Sequence, residues 1–241
     1  SLSKYFDETI CIGRSSSSYL YRDFCTKYIS FNKRTGSSNM WLMNNFDLDK
    51  FDVSKVISIG SKDKVIIPNR FFKEHPSSVC YKDHHKFFGK NIKPKYIRFG
   101  KKRYSNSIIF HARNRSEIRP EDNWPLDNWK KLADLFGDKK MYSIGTKGSS
   151  IHIPGTEDFR DKNLKEVCDI VSSANLIIGP SSGPMHLASL CGTNQIVWSN
   201  KINNKIRYEK NWNPFFSKVK FLLEQSPSPH KVWSMAEGNW D

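Results

Sequence analysis

The residues with the clearest chemical potential form a Ser-Ser-Gly-Pro turn at positions 181–184. An apolar run ending at Pro180 precedes the turn, and a helical pattern closing at Gly192 follows it. Proline favours the first turn of a helix and glycine the position just past its end. Backbone N–H groups, hydroxyls and the helix dipole then meet at one helix N-terminus, which favours an anion. The turn is a candidate site for a nucleotide diphosphate, although the same residues also suit an ordinary cap.

Three more loops with cations or small polar residues follow predicted strands or lie close to one. They span residues 111–115, 145–148 and 155–157. Because open α/β sheets bind ligands at the carboxyl ends of their strands, we expect all four loops to share one rim. Arg113 and Arg115 would grip phosphate there, and Glu157 would accept hydrogen bonds from a ribose diol. The predicted binding residues are His111, Arg113, Arg115, Gly145, Thr146, Lys147, Glu157, Ser181, Ser182, Gly183, Met185 and His186.

Alternating strands and helices position these loops in the second half of the chain. The apolar pattern predicts strands at 107–110, 141–144, 176–178 and 195–198, and helices at 126–136, 164–171 and 184–191. Asn163, with Glu166 three residues later, predicts a capping box. Trp124 and Trp129 suit a core better than a base-stacking surface. Strands that alternate with helices are typical of right-handed βαβ units around a parallel sheet.

The first half shows a weaker but compatible pattern. It predicts strands at 9–13, 28–31, 56–60, 65–67 and 96–99, and a helix at 19–27. We therefore predict an α/β protein of two compact Rossmann-like domains, residues 1–104 and 105–241, with parallel sheets flanked by helices. Val232, Trp233, Met235 and Trp240 make the tail apolar, so we expect it to pack back on the first domain.

Composition narrows the class of partner. The chain has 241 residues and a formal net charge of +15, which favours an anionic partner. It contains no apolar run near the roughly 20 residues of a membrane span, and its N-terminus lacks a signal-peptide pattern. The five cysteines are widely spaced, which favours a reducing, cytoplasmic location, with association at the cytoplasmic face of a membrane also compatible. Since residue 1 is not Met, we expect a piece of a longer polypeptide.

The sequence offers no convincing metal or cofactor signature. Asp83, His84 and His85 form the densest group of ligand-type residues, but adjacent residues seldom converge on one ion. The glycine patterns of phosphate-binding loops and dinucleotide-binding folds are both absent. We expect metal-independent chemistry without a cofactor.

Two motifs resemble those of the heptosyltransferase-like family 9 glycosyltransferases, which have the GT-B fold. NWPLDNWKKL, residues 123–132, resembles the family's Trp-Pro helix start, and IGPSSGPMHLA, residues 178–188, resembles its Gly-x-Asp-Ser-Gly-Pro-x-His-Leu-Ala signature. The resemblance covers residues 107–200. Ser181 stands where the family has Asp, and Asp122-Asn123 replaces a basic pair. The phosphate-facing cation would then be Arg113, Arg115 or Arg119. This outline also fits small viral or bacterial enzymes that build glycans.

The resemblance implies an inverting glycosyltransferase that moves a deoxyhexose such as rhamnose or fucose, or a heptose, to a glycan acceptor. The donor would be a nucleotide sugar, with a UDP-sugar as the first expectation. The family's base lies in a first-domain loop that here, at residues 14–18, has no carboxylate or histidine. Asp63, Asp83 and His84 are candidates, with His85 beside them. The alternatives are a basic nucleic-acid-binding module, for which no signature motif is present, and a non-catalytic nucleotide-binding scaffold.

Overall fold

The computed structural model describes residues 8, 10–14, 18–19, 25–31, 104–211, 213 and 217–238. The chain divides into two compact units, Ser1–Pro94 and Lys95–Asp241. In the first unit, strands β1 (Ile10–Arg14) and β2 (Lys27–Phe31) pair in parallel. Lys27, the predicted end of a helix, instead begins β2. The strands predicted at 56–60, 65–67 and 96–99 lie outside the described residues.

The described residues of the second unit form a six-stranded sheet with helices between its strands. Its strands are β3 (Ser107–Phe110), β4 (Lys140–Gly145), β5 (Glu157–Arg160), β6 (Leu176–Pro180), β7 (Asn194–Trp198) and β8 (Val219–Leu222). Its helices are α1 (Leu126–Phe136), α2 (Leu164–Ser173), α3 (Gly183–Cys191), α4 (Ile202–Ile206) and α5 (Pro229–Glu237), with a π-helical turn at Arg207–Asn211. The sheet order is β5-β4-β3-β6-β7-β8, and every pairing is parallel. This is the doubly wound order of a Rossmann-type sheet.

Each face of the sheet supports its own hydrophobic core. On β3, Ile108 and Phe110 belong to one core and Ile109 to the other, because successive side chains of a strand point to opposite faces. The first core contains α1 and α5 and is filled by Trp124, Trp129 and Trp198. The second contains α2, α3 and the π-helical turn. The predicted α/β class, with a parallel sheet flanked by helices, is confirmed.

Local signals set the helix ends much as predicted. The Asn163 side chain accepts from the Glu166 backbone N–H, and the Glu166 carboxylate accepts from the Asn163 N–H, which completes the capping box. Helix α3 begins at Gly183, one residue before the proline, and ends before Gly192, whose φ of 74° is left-handed. Glycine adopts that conformation without steric cost.

The described apolar side chains of the tail pack within the second unit. Val232 is fully buried in the core that contains α1, and Trp233 and Met235 pack against the same core. The Trp124 indole N–H also donates to the Pro227 carbonyl oxygen over 3.1 Å. These side chains therefore contribute to the core of the second unit. Trp240 lies outside the described residues, and the packing of the tail on the first domain stays a prediction.

Candidate functional site

The site begins where the strand order reverses, between β3 and β6. Chain connections leave these two neighbouring strands toward opposite ends of the sheet, which opens a crevice at their carboxyl ends. The His111 N–H continues the sheet by donating to Ile178 O over 2.9 Å, and the Ser181 N–H donates to Trp198 O over 3.0 Å. The loops after β3 and β6 therefore leave the sheet side by side, as the sequence predicted for residues 111–115 and 181–184.

The N-terminus of α3 offers fewer donors than the sequence suggested. A helix leaves its first four backbone N–H groups without intrahelical acceptors. Here the Ser182 N–H donates to the Tyr208 hydroxyl over 3.1 Å, and Pro184 has no N–H. The amides of Gly183 and Met185 are the two left to bind an anion.

The hydroxyl of Ser182 adds a third donor at the same point. Its Oγ is buried and has no hydrogen-bond partner among the described residues. A buried hydroxyl without a partner is unusual in a folded protein and is explained when a ligand completes it. Gly183 is exposed, and a Cβ placed on it would meet no atom within 4 Å, so the space on the Cβ side of Gly183 is open. The turn thus combines open space with unused donors.

Arg113, predicted to bind phosphate, instead holds the loop that follows β3. It is 2% exposed, and its guanidinium donates to Arg119 O over 2.6 Å, to Asn123 Oδ1 over 2.7 Å and to Ile118 O. These acceptors use the donors that a phosphate would need. Burial lowers the pKa of Arg113, and the charge of Arg119 lowers it further. The first prediction for this side chain is therefore corrected to a structural role.

Arg119 is the cation that reaches the crevice. Its Nη2 lies 3.3 Å from Ser181 O, and its Nη1 lies 3.1 Å from the Asp122 carboxylate. Its backbone is left-handed, with a φ of 49°, which is uncommon for a residue other than glycine. The side chain is 37% exposed, so it remains open to a ligand. Arg119 was the third candidate cation in the sequence, and the geometry brings it to the turn.

Arg207 adds positive charge near the same place. Burial lowers its pKa, and the nearby charge of Arg119 lowers it further. Guanidinium groups that repel each other gain from an anion placed between them. Arg115 lies on the outer side of the loop: it is exposed, and its backbone is tied to the Asn123 side chain at 3.1 and 2.8 Å.

His111 is buried beside the crevice as a neutral imidazole. Its Nδ1 lies 3.2 Å from Ile144 O, and a carbonyl can only accept, so Nδ1 carries the proton and Nε2 is left as an acceptor. Burial lowers the pKa of His111 to about 4, with the charges of Arg113 and Arg115 adding to the effect. The His111 side chain is therefore polar but uncharged at neutral pH.

The loop after β4 folds back and is held by hydrogen bonds within the loop and to Asp161. Gly145 has a φ of 131°, and a Cβ there would lie 2.5 Å from Ser150 Oγ. The Ser150 hydroxyl donates to Thr146 O over 2.8 Å, and the Lys147 N–H donates to Asp161 Oδ1 over 2.9 Å. The side chains of Thr146 and Lys147 are exposed just after the carboxyl end of β4, and their contact with a diphosphate stays a prediction.

Glu157 lies elsewhere. It is the first residue of β5 and pairs with Tyr142, three residues before the end of β4 at Gly145. Since parallel strands share one direction, residues 155–157 enter β5 at its amino end and do not join the carboxyl-end rim. The predicted contact of Glu157 with a ribose is corrected for this reason: the short, polar strand β5 was missed in the sequence.

The remaining predicted residues divide between core and site. Met185 is fully buried, with its sulfur 3.1 Å from a Cβ built on Gly179, so its side chain belongs to the core. The His186 ring stacks on that of Tyr208, with centroids 4.3 Å apart and planes at 7°. Tyr208 and Arg207 were both missed, although an aromatic residue in a Lys/Asn-rich stretch is a usable signal.

The candidate bases stay predictions. Asp63, Asp83, His84 and His85 lie outside the described residues. Within the parts of the chain that are described, no group of three or more His, Cys, Asp or Glu side chains could hold a metal ion. None of the described helices has the length and hydropathy needed to cross a membrane.

Fold and crevice together define a Rossmann-type α/β unit with the N-terminus of α3 at its switch point. Among solved structures, the chain is similar to the Escherichia coli heptosyltransferase WaaC with ADP-2-deoxy-2-fluoro heptose. The TM-score is 0.50 at 14% identity, over 68% of this chain and 56% of that one. The chain therefore matches a little over half the length of that protein. This likeness confirms the predicted heptosyltransferase-like fold of the GT-B class.

Two further solved structures are similar at lower scores. A family 9 glycosyl transferase from Veillonella parvula matches with a TM-score of 0.37 and 18% identity, over 98% of this chain and 62% of its own. E. coli ADP-heptose LPS heptosyltransferase II matches with a TM-score of 0.41 and 12% identity, over 64% and 49%. No protein-family model and no curated protein sequence matches the chain.

Proposed function

We propose that this chain is a glycosyltransferase, or the donor-binding part of one, that transfers a sugar from a nucleotide diphosphate to a glycan acceptor. One observation carries the proposal: the unused donors at the N-terminus of α3 lie beside Arg119 at the switch point of a heptosyltransferase-like sheet. Helix N-termini of this kind favour phosphate groups. Ser182 Oγ and the amides of Gly183 and Met185 would bind the diphosphate, and Arg119 would balance its charge.

The reaction we propose is a direct displacement with inversion. The acceptor hydroxyl attacks the anomeric carbon, a base takes its proton, and the bond to the diphosphate breaks with the electron pair leaving on phosphate oxygen. Donors already aimed at that oxygen stabilise the charge that develops there without reorganising. In this scheme α3 and Arg119 replace a metal ion as the electrostatic partner of the leaving group, and Asp63, Asp83 and His84 remain the candidate bases.

The nucleotide-sugar donor is the least specific part of the proposal. A UDP-sugar is the first expectation from the sequence, and ADP is the nucleotide in the ligand of the similar WaaC structure. The transferred sugar would be a heptose or a deoxyhexose such as rhamnose or fucose. Ser181, where the family motif has Asp, removes a negative charge next to the turn and favours a donor different from that of the heptosyltransferases.

Thermal unfolding with UDP, ADP, GDP and CMP tests the binding step. A ligand that binds only the folded chain raises its midpoint, so one nucleotide should stand out. Ser182→Ala should reduce that rise without changing the ligand-free midpoint, because its Oγ has no partner to lose. Ser172→Ala is the matched control, since the Ser172 hydroxyl donates to Asp169 O on α2, away from the rim. Nucleotide sugars carrying the best nucleotide then test transfer.

The net charge of +15 favours a second candidate, a nucleic-acid-binding module. It predicts tight, strongly salt-dependent binding to oligonucleotides and no midpoint rise with any nucleotide. That result would overturn the glycosyltransferase proposal. Nucleotide binding without transfer or hydrolysis of any sugar donor would instead identify a non-catalytic scaffold.

A further inference from the structure

Tyr208 belongs to no predicted site, yet it touches the proposed anion-binding turn. It lies on the π-helical turn at Arg207–Asn211 and is fully buried in the core that contains α3. Single π-helical turns are rare and often mark functional sites. Its ring packs between the His186 imidazole and Phe221 of β8, at centroid distances of 4.3 and 5.8 Å. The Tyr208 ring therefore packs between the first turn of α3 and strand β8 of the sheet.

The hydroxyl of Tyr208 bonds both ends of one residue. It accepts from the Ser182 N–H over 3.1 Å and donates to Ser182 O over 3.2 Å. Burial raises the pKa of Tyr208 well above its ordinary value, so the phenol keeps the proton it donates. Two bonds to one residue fix the backbone of Ser182 in its extended conformation, with φ −161° and ψ 172°.

This arrangement determines which hydrogen-bond donors of the turn face the crevice. Because Tyr208 takes the Ser182 amide, that N–H is unavailable to an anion. The fixed backbone in turn sets the direction of Ser182 Oγ and of the next peptide group, which carries the Gly183 N–H. A donor set fixed in advance costs less to organise when a ligand binds.

We propose that Tyr208 is a positioning residue for diphosphate binding, holding Ser182 so that its hydroxyl and the Gly183 and Met185 amides converge on one anion. The inference rests on the proposed function and deepens it. Tyr208 acts through Ser182 and does not itself contact the phosphate.

Tyr208→Phe tests the role of the hydroxyl, since phenylalanine keeps the ring and its stacking. Calorimetric titration compares the nucleoside diphosphate that binds best with the corresponding nucleoside. We expect about a tenfold loss in diphosphate affinity, equal to about 1.4 kcal/mol, and unchanged nucleoside affinity. A merely structural role would weaken both ligands alike. Tyr142→Phe is the control, because Tyr142 is equally buried in the same core but lies on β4, with Lys140 Nζ 5.4 Å from its ring centroid.

The outcomes separate the two proposals. If the wild-type chain binds no nucleoside diphosphate, the proposed function fails and this inference fails with it. If the wild type binds and Tyr208→Phe binds equally well, or loses nucleoside affinity to the same degree, only the positioning role is overturned.

Amide hydrogen exchange of the wild-type chain gives a second measurement that does not depend on the variant folding. Without ligand, the Ser182 amide should exchange slowly, because it is bonded to Tyr208, and the Gly183 amide should exchange fast. The nucleoside diphosphate should then protect Gly183. Fast exchange at Ser182 in the ligand-free chain would contradict the hydroxyl contact and overturn the inference.

Discussion

The buried guanidinium of Arg113 donates to the backbone carbonyl of Arg119 over 2.6 Å, so one arginine holds the other in place. Both side chains, together with Arg115, were candidates for the phosphate-facing cation in the sequence, and the structure gives the two arginines different positions. Arg113 holds the loop by hydrogen bonds from its buried guanidinium. The Arg119 guanidinium lies beside the Ser181 carbonyl oxygen at the crevice.

Replacing Arg113 by lysine should destabilise the fold. Lysine keeps the charge but cannot bond the carbonyls of Arg119 and Ile118 together with Asn123, and a buried cation without its partners costs about 3 kcal/mol or more. We expect a lower urea midpoint with an unchanged slope. Arg115→Lys, on the exposed side of the same loop, is the control and should change the free energy of unfolding by less than about 0.5 kcal/mol. Equal effects of the two changes would contradict the structural role.

Replacing Arg119 by lysine should weaken nucleotide binding more than stability. The charge beside Asp122 is preserved, but the fork that bonds phosphate at two points is lost, which predicts about a tenfold weaker affinity. Titration calorimetry measures it, with Lys130→Ala on α1 as a control cation remote from the rim. The wild-type affinity should also fall as salt rises. An affinity unaffected by Arg119→Lys would remove this side chain from the site.

Acid should destabilise the second unit through His111. Its pKa of about 4 in the folded chain lies below the ordinary 6.5, so the unfolded chain binds the extra proton between these values. The free energy of unfolding should therefore fall as pH drops from 6.5 toward 4, by about 3 kcal/mol in all. His111→Asn keeps a donor to Ile144 O without titrating and should flatten this slope. The same change at the exposed His230 is the matched control.

Two glycines near α3 should respond in opposite ways to alanine. A Cβ on Gly179 would lie 3.1 Å from both His111 O and Met185 Sδ, so Gly179→Ala should cost about 1–3 kcal/mol of stability. A Cβ on Gly183 would meet only open space, so Gly183→Ala should leave the thermal midpoint unchanged or higher. The added methyl should nevertheless reduce the midpoint rise with nucleotide. Unchanged nucleotide binding in Gly183→Ala would place the anion elsewhere.

Local chemistry made much of the second unit predictable. The capping box at Asn163, the glycine after α3 and the apolar alternation of β3 act over a few residues, and each is visible in the sequence. The central strands are buried on both faces and therefore read as apolar runs. Edge strands have one open side. The two strands that were missed, β5 and β8, are the edges of the sheet within the described residues, and both carry charged residues.

The site was less predictable because burial depends on the whole fold. Arg113 and Arg119 are the same residue type in one loop, and only tertiary packing determines which guanidinium is enclosed. Tyr208 meets Ser182 from 26 positions away, through a π-helical turn that no short-range pattern predicts. Glu157 was misplaced because its strand was not recognised.

The three indoles of Trp124, Trp129 and Trp198 form one cluster, with ring centroids 4.8, 5.1 and 5.5 Å apart. They join the start of α1 to the end of β7, and the Trp198 carbonyl oxygen accepts from the Ser181 N–H at the edge of the crevice. These tryptophans are therefore an intrinsic fluorescence probe of the second unit. Tryptophan emission should report the unfolding of this unit, and a ligand that shifts Ser181 should alter the signal without any dye attached.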